Sequence, residues 1–143
     1  MEVIISEEIK EKCPQLCVGV LEADVKNTST CEPLWQQITE AEKQFRLDYT
    51  TETLKQRPSI AATRAAYRLL GKDPSRYRPS NEQLVRRVLQ QKELYHINTL
   101  VDINNLASIH WCYSIGGFDE DKIVGEKLTL GVGRAGEPYE GIG

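Results

Sequence analysis

Lys127-Leu128-Thr129-Leu130-Gly131-Val132-Gly133 alternates large apolar residues with small or polar ones, the period of two that turns one face of a β-strand toward a core. The glycine-rich approach to it, Gly116-Gly117-Phe118-Asp119, follows a long stretch in which apolar residues recur at helical spacing. Several helices lying between strands predict an α+β fold, with a mixed β-sheet and several packed helices.

Upstream of that stretch, Leu100, Val101, Ile103, Leu106, Ala107 and Ile109 place a largely buried helix over about Thr99–Trp111. Another is expected from Ser80, whose spacing to Gln83 is that of a capping box, with Leu84, Val85, Val88 and Leu89 on its apolar face and Arg86 and Arg87 elsewhere. Asp73–Pro79 reads as a rigid basic loop, since each proline fixes its own φ and disfavours helix in the residue before it. A helix from about Ser59 to Leu70 should end at Gly71, which takes the left-handed conformation without strain. Leu34, Trp35, Ile38, Ala41, Phe45 and Leu47 predict a long amphipathic helix from Pro33 to about Lys55. Asn27–Thr30 reads as a turn, and Leu16–Val25 as a strand. Ser6 and the acidic pair Glu7 and Glu8 open a short helix that Pro14 stops.

The length of 143 residues and a 40% hydrophobic share suit one domain over residues 1–143, with a helix-strand-helix part at 1–55 and a second part at 56–143. No apolar run approaches the roughly 20 residues of a membrane span, and the acidic start is unsuited to secretion. A cytoplasmic protein with no membrane association is therefore expected. Cys13, Cys17, Cys31 and Cys112 match neither a zinc module nor a disulfide framework. They read as reduced thiols, and no metal or other cofactor is expected.

Charge is the more informative property. The chain carries −3 overall, yet residues 55–92 hold ten basic side chains against only Asp73 and Glu82, a local +8 between two acidic flanks. Such a segment marks a polyanion-facing surface, with Arg57, Arg64, Arg68, Lys72, Arg76, Arg78, Arg86 and Arg87 as the RNA-binding candidates. Tyr67 and Tyr77 are candidate base-stacking or packing groups within it. The same charges also suit a non-catalytic module that docks an acidic protein partner or a synthetase.

The run Ile97-Asn98-Thr-Leu-Val101-Asp102-Ile-Asn-Asn105, then Gly117-Phe118-Asp119, Lys122-Ile123-Val-Gly125 and Gly136-Glu137, resembles the editing and tRNA-binding modules B-three and B-four of the phenylalanyl-tRNA synthetase beta subunit. Residues 64–80, Arg-x-Ala-Tyr-Arg-x-Leu-Gly-Lys-Asp-Pro-Ser-Arg-Tyr-Arg-Pro-Ser, are similar to stand-alone proteins of that family without the synthetase catalytic core. The resemblance, over about Arg57–Gly143, implies an editing-domain-like fold and aminoacyl-tRNA as partner. Its activity would be hydrolysis of mischarged aminoacyl-tRNA in trans, part of protein biosynthesis. It also implies a pocket, for which Asn98, Asp102, Gly116, Gly117 and Phe118 are the candidates.

Two readings temper a direct transfer of that chemistry. Asn98 and Asp102 also suit plain helix capping, as N-cap and first-turn acid. Gly116 stands where synthetases usually carry a histidine, and neither His96 nor His110 matches that position, so no catalytic residue is assigned. Gly136–Gly143 reads as a further β-segment without a partner, which predicts a domain continuing past residue 143 and a fragment that is not by itself a complete enzyme.

Overall fold

The protein is described by a computed structural model, which gives the structure of residues 1–138. Strand β1 (Glu2–Ile5) leads into helix α1 (Glu7–Lys12). Four longer helices follow: α2 (Glu32–Asp48), α3 (Pro58–Leu69), α4 (Ser80–Leu89) and α5 (Thr99–Trp111). Strand β2 (Lys127–Leu130) pairs with β1 in parallel, in the register Glu2 to Lys127 and Ile5 to Leu130. The fold is α+β.

The core lies among the helices. Leu34, Ile38, Ala41 and Phe45 form one stripe of α2, three or four residues apart, and meet Ile60, Val85, Val88 and Ile109 from the other three. Leu54, on a 3-10 turn at Thr53–Gln56, and Leu94, on the α4–α5 connection, close the cluster.

Helix α5 is fastened at both ends. At its start Asn98 Oδ1 accepts from Val101 N at 3.0 Å, Asn27 Oδ1 from Leu100 N at 3.2 Å, and Thr28 O from Thr99 N at 2.9 Å. At its end the carbonyls of His110, Trp111 and Cys112 accept from Arg57, Ser59 and Asn81. Groups that a helix leaves unpaired at its termini are thus satisfied by side chains and backbone from the turn at 27–30, the start of α3 and the start of α4.

The expected end of α3 is realised in full. Gly71 has φ +75°, its N–H donates to Arg68 O, and Lys72 N donates to Tyr67 O, the paired bonds of a Schellman ending. Helix α4 ends with the same two bonds around Gln91 at φ 54°, a non-glycine residue in the left-handed region.

Four expectations are corrected. Leu16–Val25 is no strand: it has no paired neighbour among the described residues, and Val18, Val20, Leu21 and Val25 lie exposed. A strand needs a partner more than it needs an alternating sequence, and neither described strand pairs with this segment. The N-terminal part therefore runs strand, helix, irregular segment, helix. The described sheet is a parallel pair rather than a mixed sheet. Helix α2 stops at Asp48, where Thr50 and Thr53 bond to each other's side chain and backbone instead of continuing the helix. Ser80 is the first helical residue and Pro79 takes the cap position, so the Ser80–Gln83 capping box does not form. Most of the further β-segment expected over 136–143 lies outside the described residues.

Candidate functional site

The ten cations of residues 55–92 do not form one surface. Arg64 is buried, 6% exposed, and donates to Glu82 Oε2 at 2.8 Å. Arg86 donates to Glu82 Oε1 at 2.9 Å from the next turn of the same helix. Glu82 itself is wholly buried. Its burial would raise the carboxyl pKa, but the hydrogen bonds and charges of Arg64 and Arg86 outweigh that and hold it below its ordinary value. Arg64 is therefore an interior ion-pair partner joining α3 to α4, and partly buried Arg86 pairs with the same acid within α4.

Three more are tied to backbone carbonyls. Arg57 Nη2 donates to His110 O at 2.6 Å and lies over the Phe45 and Tyr49 rings; Lys72 Nζ donates to Gly133 O at 2.8 Å; Arg87 Nη2 donates to Glu93 O at 2.6 Å. Arg68 and Arg76 are exposed and have no ion-pair partner among the described residues. Arg78 is exposed, with only a 4.0 Å approach to Glu82. Tyr67 is half-buried, whereas Tyr77 is exposed with the cations of Arg76 and Lys72 at 5.2 and 5.7 Å from its ring.

Beside this loop a cleft of about 250 Å³ opens between α4 and α5, lined by Ser80, Gln83, Leu84, Arg87, Asn104, Asn105, Ser108 and Ile115. Loop and cleft join through one bond, Arg78 Nη1 to Gln83 Oε1 at 3.2 Å. Gly117 packs against the same wall: a Cβ there would lie 2.8 Å from Asn104 Nδ2. Gly116 lies close to the Phe118 ring, and that ring is mostly exposed.

Asn98 and Asp102 do not line the cleft. Asn98 is the α5 N-cap, and Asp102 is buried with Oδ2 accepting from Trp35 Nε1 at 2.8 Å. Of the cleft walls on α4 the sequence singled out Arg87 alone, as an RNA-binding candidate. Gln83 was assigned to a cap, and Ser108 and Ile115 carry no pattern that separates a cleft wall from a helix surface or a loop.

A larger hollow of about 460 Å³ lies at Met1, Glu2, Glu120, Gly125 and Glu126. Its acidic walls would repel a polyanion, so the smaller cleft beside the basic loop is the better nucleic-acid site.

Among the described residues no group of three His, Cys, Asp or Glu side chains is placed to hold a metal ion, and no helix is long and apolar enough to cross a membrane. The four cysteines are free thiols, two of them buried. A family model, the B3/4 domain, matches residues 62–143, which takes in α4, α5, the basic loop and the cleft. No curated protein and no solved structure matches the chain.

Proposed function

Since the chain belongs to the B3/4 domain family, the domain found in the phenylalanyl-tRNA synthetase beta subunit, we propose that it binds aminoacyl-tRNA in the cytoplasm. The aminoacylated end enters the α4–α5 cleft, and phosphates lie against Arg68, Arg76 and Arg78. The observation that carries this reading is the Arg78–Gln83 bond, which puts the exposed end of the basic loop at the rim of the cleft. Phosphate contacts supply affinity, and the polar groups that line the cleft supply discrimination.

Hydrolysis of a mischarged ester in trans asks for more. It needs a positioned water and donors aimed at the ester carbonyl. The amides of Asn104 and Asn105, the Ser80 hydroxyl and the Arg87 guanidinium offer donors, whereas the Ser108 hydroxyl already donates to Tyr113 O, and among the described residues no carboxylate or imidazole lines the cleft to act as a base. Binding is thus the part of the family's function that this chain is equipped for by its own side chains.

Filling the cleft tests the assignment. Gly117→Val should push the Asn104 amide into it. The wild type is expected to bind aminoacylated tRNA more tightly than the deacylated form. The variant should lose about tenfold of that preference, a difference of the size a filled apolar pocket produces, while keeping its salt dependence. Equal binding of the two forms by the wild type would remove the cleft from the reading. An acidic protein that displaces tRNA from the same face without regard to charging would favour a protein-docking module instead.

A further inference from the structure

The connection between α4 and α5 is fastened at two points. Leu94 is buried in the core, and the Glu93 carbonyl accepts from Arg87. With Leu94 turned inward, the next two side chains stand outward: Tyr95 is 66% exposed and His96 is exposed.

Each of these rings is supported by a fixed group. The Arg87 guanidinium lies 4.5 Å from the Tyr95 ring centroid. His96 stacks on the Trp35 indole with centroids 3.3 Å apart and planes 10° from parallel, and Trp35 is held in turn by its bond to buried Asp102. Both rings are therefore positioned before any ligand arrives. An exposed ring held in this way has a face to offer and little rotamer freedom left to lose on binding.

We infer that Tyr95 and His96 form a stacking platform for unpaired RNA bases beside the α4–α5 cleft; this rests on the tRNA-binding reading of that cleft. Arg87 makes the link, since it lines the cleft and also supports Tyr95. The chemistry favours nucleobases over an apolar peptide. Two exposed aromatic rings stand on adjacent residues, and Arg87 and exposed Lys92 outweigh Glu93 in charge beside them. Every base has a π-face, so the platform recognises single-stranded character rather than sequence, and a blunt duplex presents no free face along its length.

The test uses the whole chain with three probes: a short single-stranded RNA, the blunt duplex of the same sequence, and free AMP. The single strand should bind more tightly than the other two. Tyr95→Ala should weaken it about 5- to 150-fold, the range for losing one stacked base, and Tyr95→Trp should restore it. Duplex binding should not change. Because Tyr95 is exposed, the alanine variant should unfold at the same urea concentration as the wild type, which separates lost stacking from lost fold. Unchanged single-strand binding in Tyr95→Ala would overturn the platform while leaving wild-type tRNA binding intact. Free AMP binding as tightly as the strand would overturn it too. Failure of the wild type to bind any RNA would overturn both the platform and the reading on which it rests.

Discussion

Glu82→Ala should cost the fold about 3–5 kcal/mol, read as a fall in the urea midpoint at neutral pH. The carboxylate is wholly buried between Arg64 and Arg86, and Arg64 is itself only 6% exposed. Removing the acid leaves an unpaired guanidinium in the interior. Replacing the whole cluster together, as in the Arg64→Met/Glu82→Leu/Arg86→Met triple variant, should recover much of the loss, because no charge of the cluster is then left without a partner. A Glu82→Ala variant as stable as the wild type would show that solvent reaches this pair.

The same cluster gives the fold an acid dependence. The Glu82 carboxyl is held below its ordinary value of 4.5. Its contribution is therefore complete above the unfolded-state pKa and is lost as pH falls through the lower folded-state value. Stability lost between neutral and acid pH should accordingly be smaller in Glu82→Gln than in the wild type.

Ile109→Ala should cost about 2–5 kcal/mol, whereas Ile103→Ala, on the same helix, should change stability by less than about 0.5 kcal/mol. Ile109 is 1% exposed at the meeting of α5 with the core; Ile103 is 46% exposed. Loss of Ile109 leaves a cavity beneath the helix that carries Asn104, Asn105 and Ser108, so ligand binding should weaken along with stability. Equal costs at the two positions would contradict the packing described for α5.

Both isoleucines belong to one apolar pattern in the sequence, and this marks where the sequence ceases to be informative. The pattern placed α5 over its observed residues, and Asn98 was legible as its cap because the cap bond is local. Gly71 was legible for the same reason, since a left-handed helix ending depends on only a few neighbouring residues. What could not be read was pairing across the chain. Glu82 and Arg86 are one turn apart, but Arg64 reaches Glu82 from another helix, so of the cations counted toward a surface Arg64 belongs to the interior and Arg86 is tied to a buried acid. Residues 2–5, too short a run to show a period, form β1 by pairing with residues 127–130, while the better strand sequence at 16–25 finds no described partner. The cleft draws its walls from α4, α5 and the loop after α5, and no local pattern announces that meeting.

The central claim is that the exposed end of the basic segment contacts tRNA phosphates, and a salt titration of tRNA affinity tests it most directly. With Arg68, Arg76 and Arg78 each contacting a phosphate, the logarithm of the binding constant should fall linearly with the logarithm of salt concentration. The slope should be about −0.7 to −0.9 per contact. The variant with all three arginines changed to glutamine should bind more weakly and lose most of that slope, with its unfolding midpoint little changed because the three side chains are exposed and no like charge is set beside Glu82. Wild-type affinity that does not vary with salt, or a triple variant with the wild-type slope, would contradict the account.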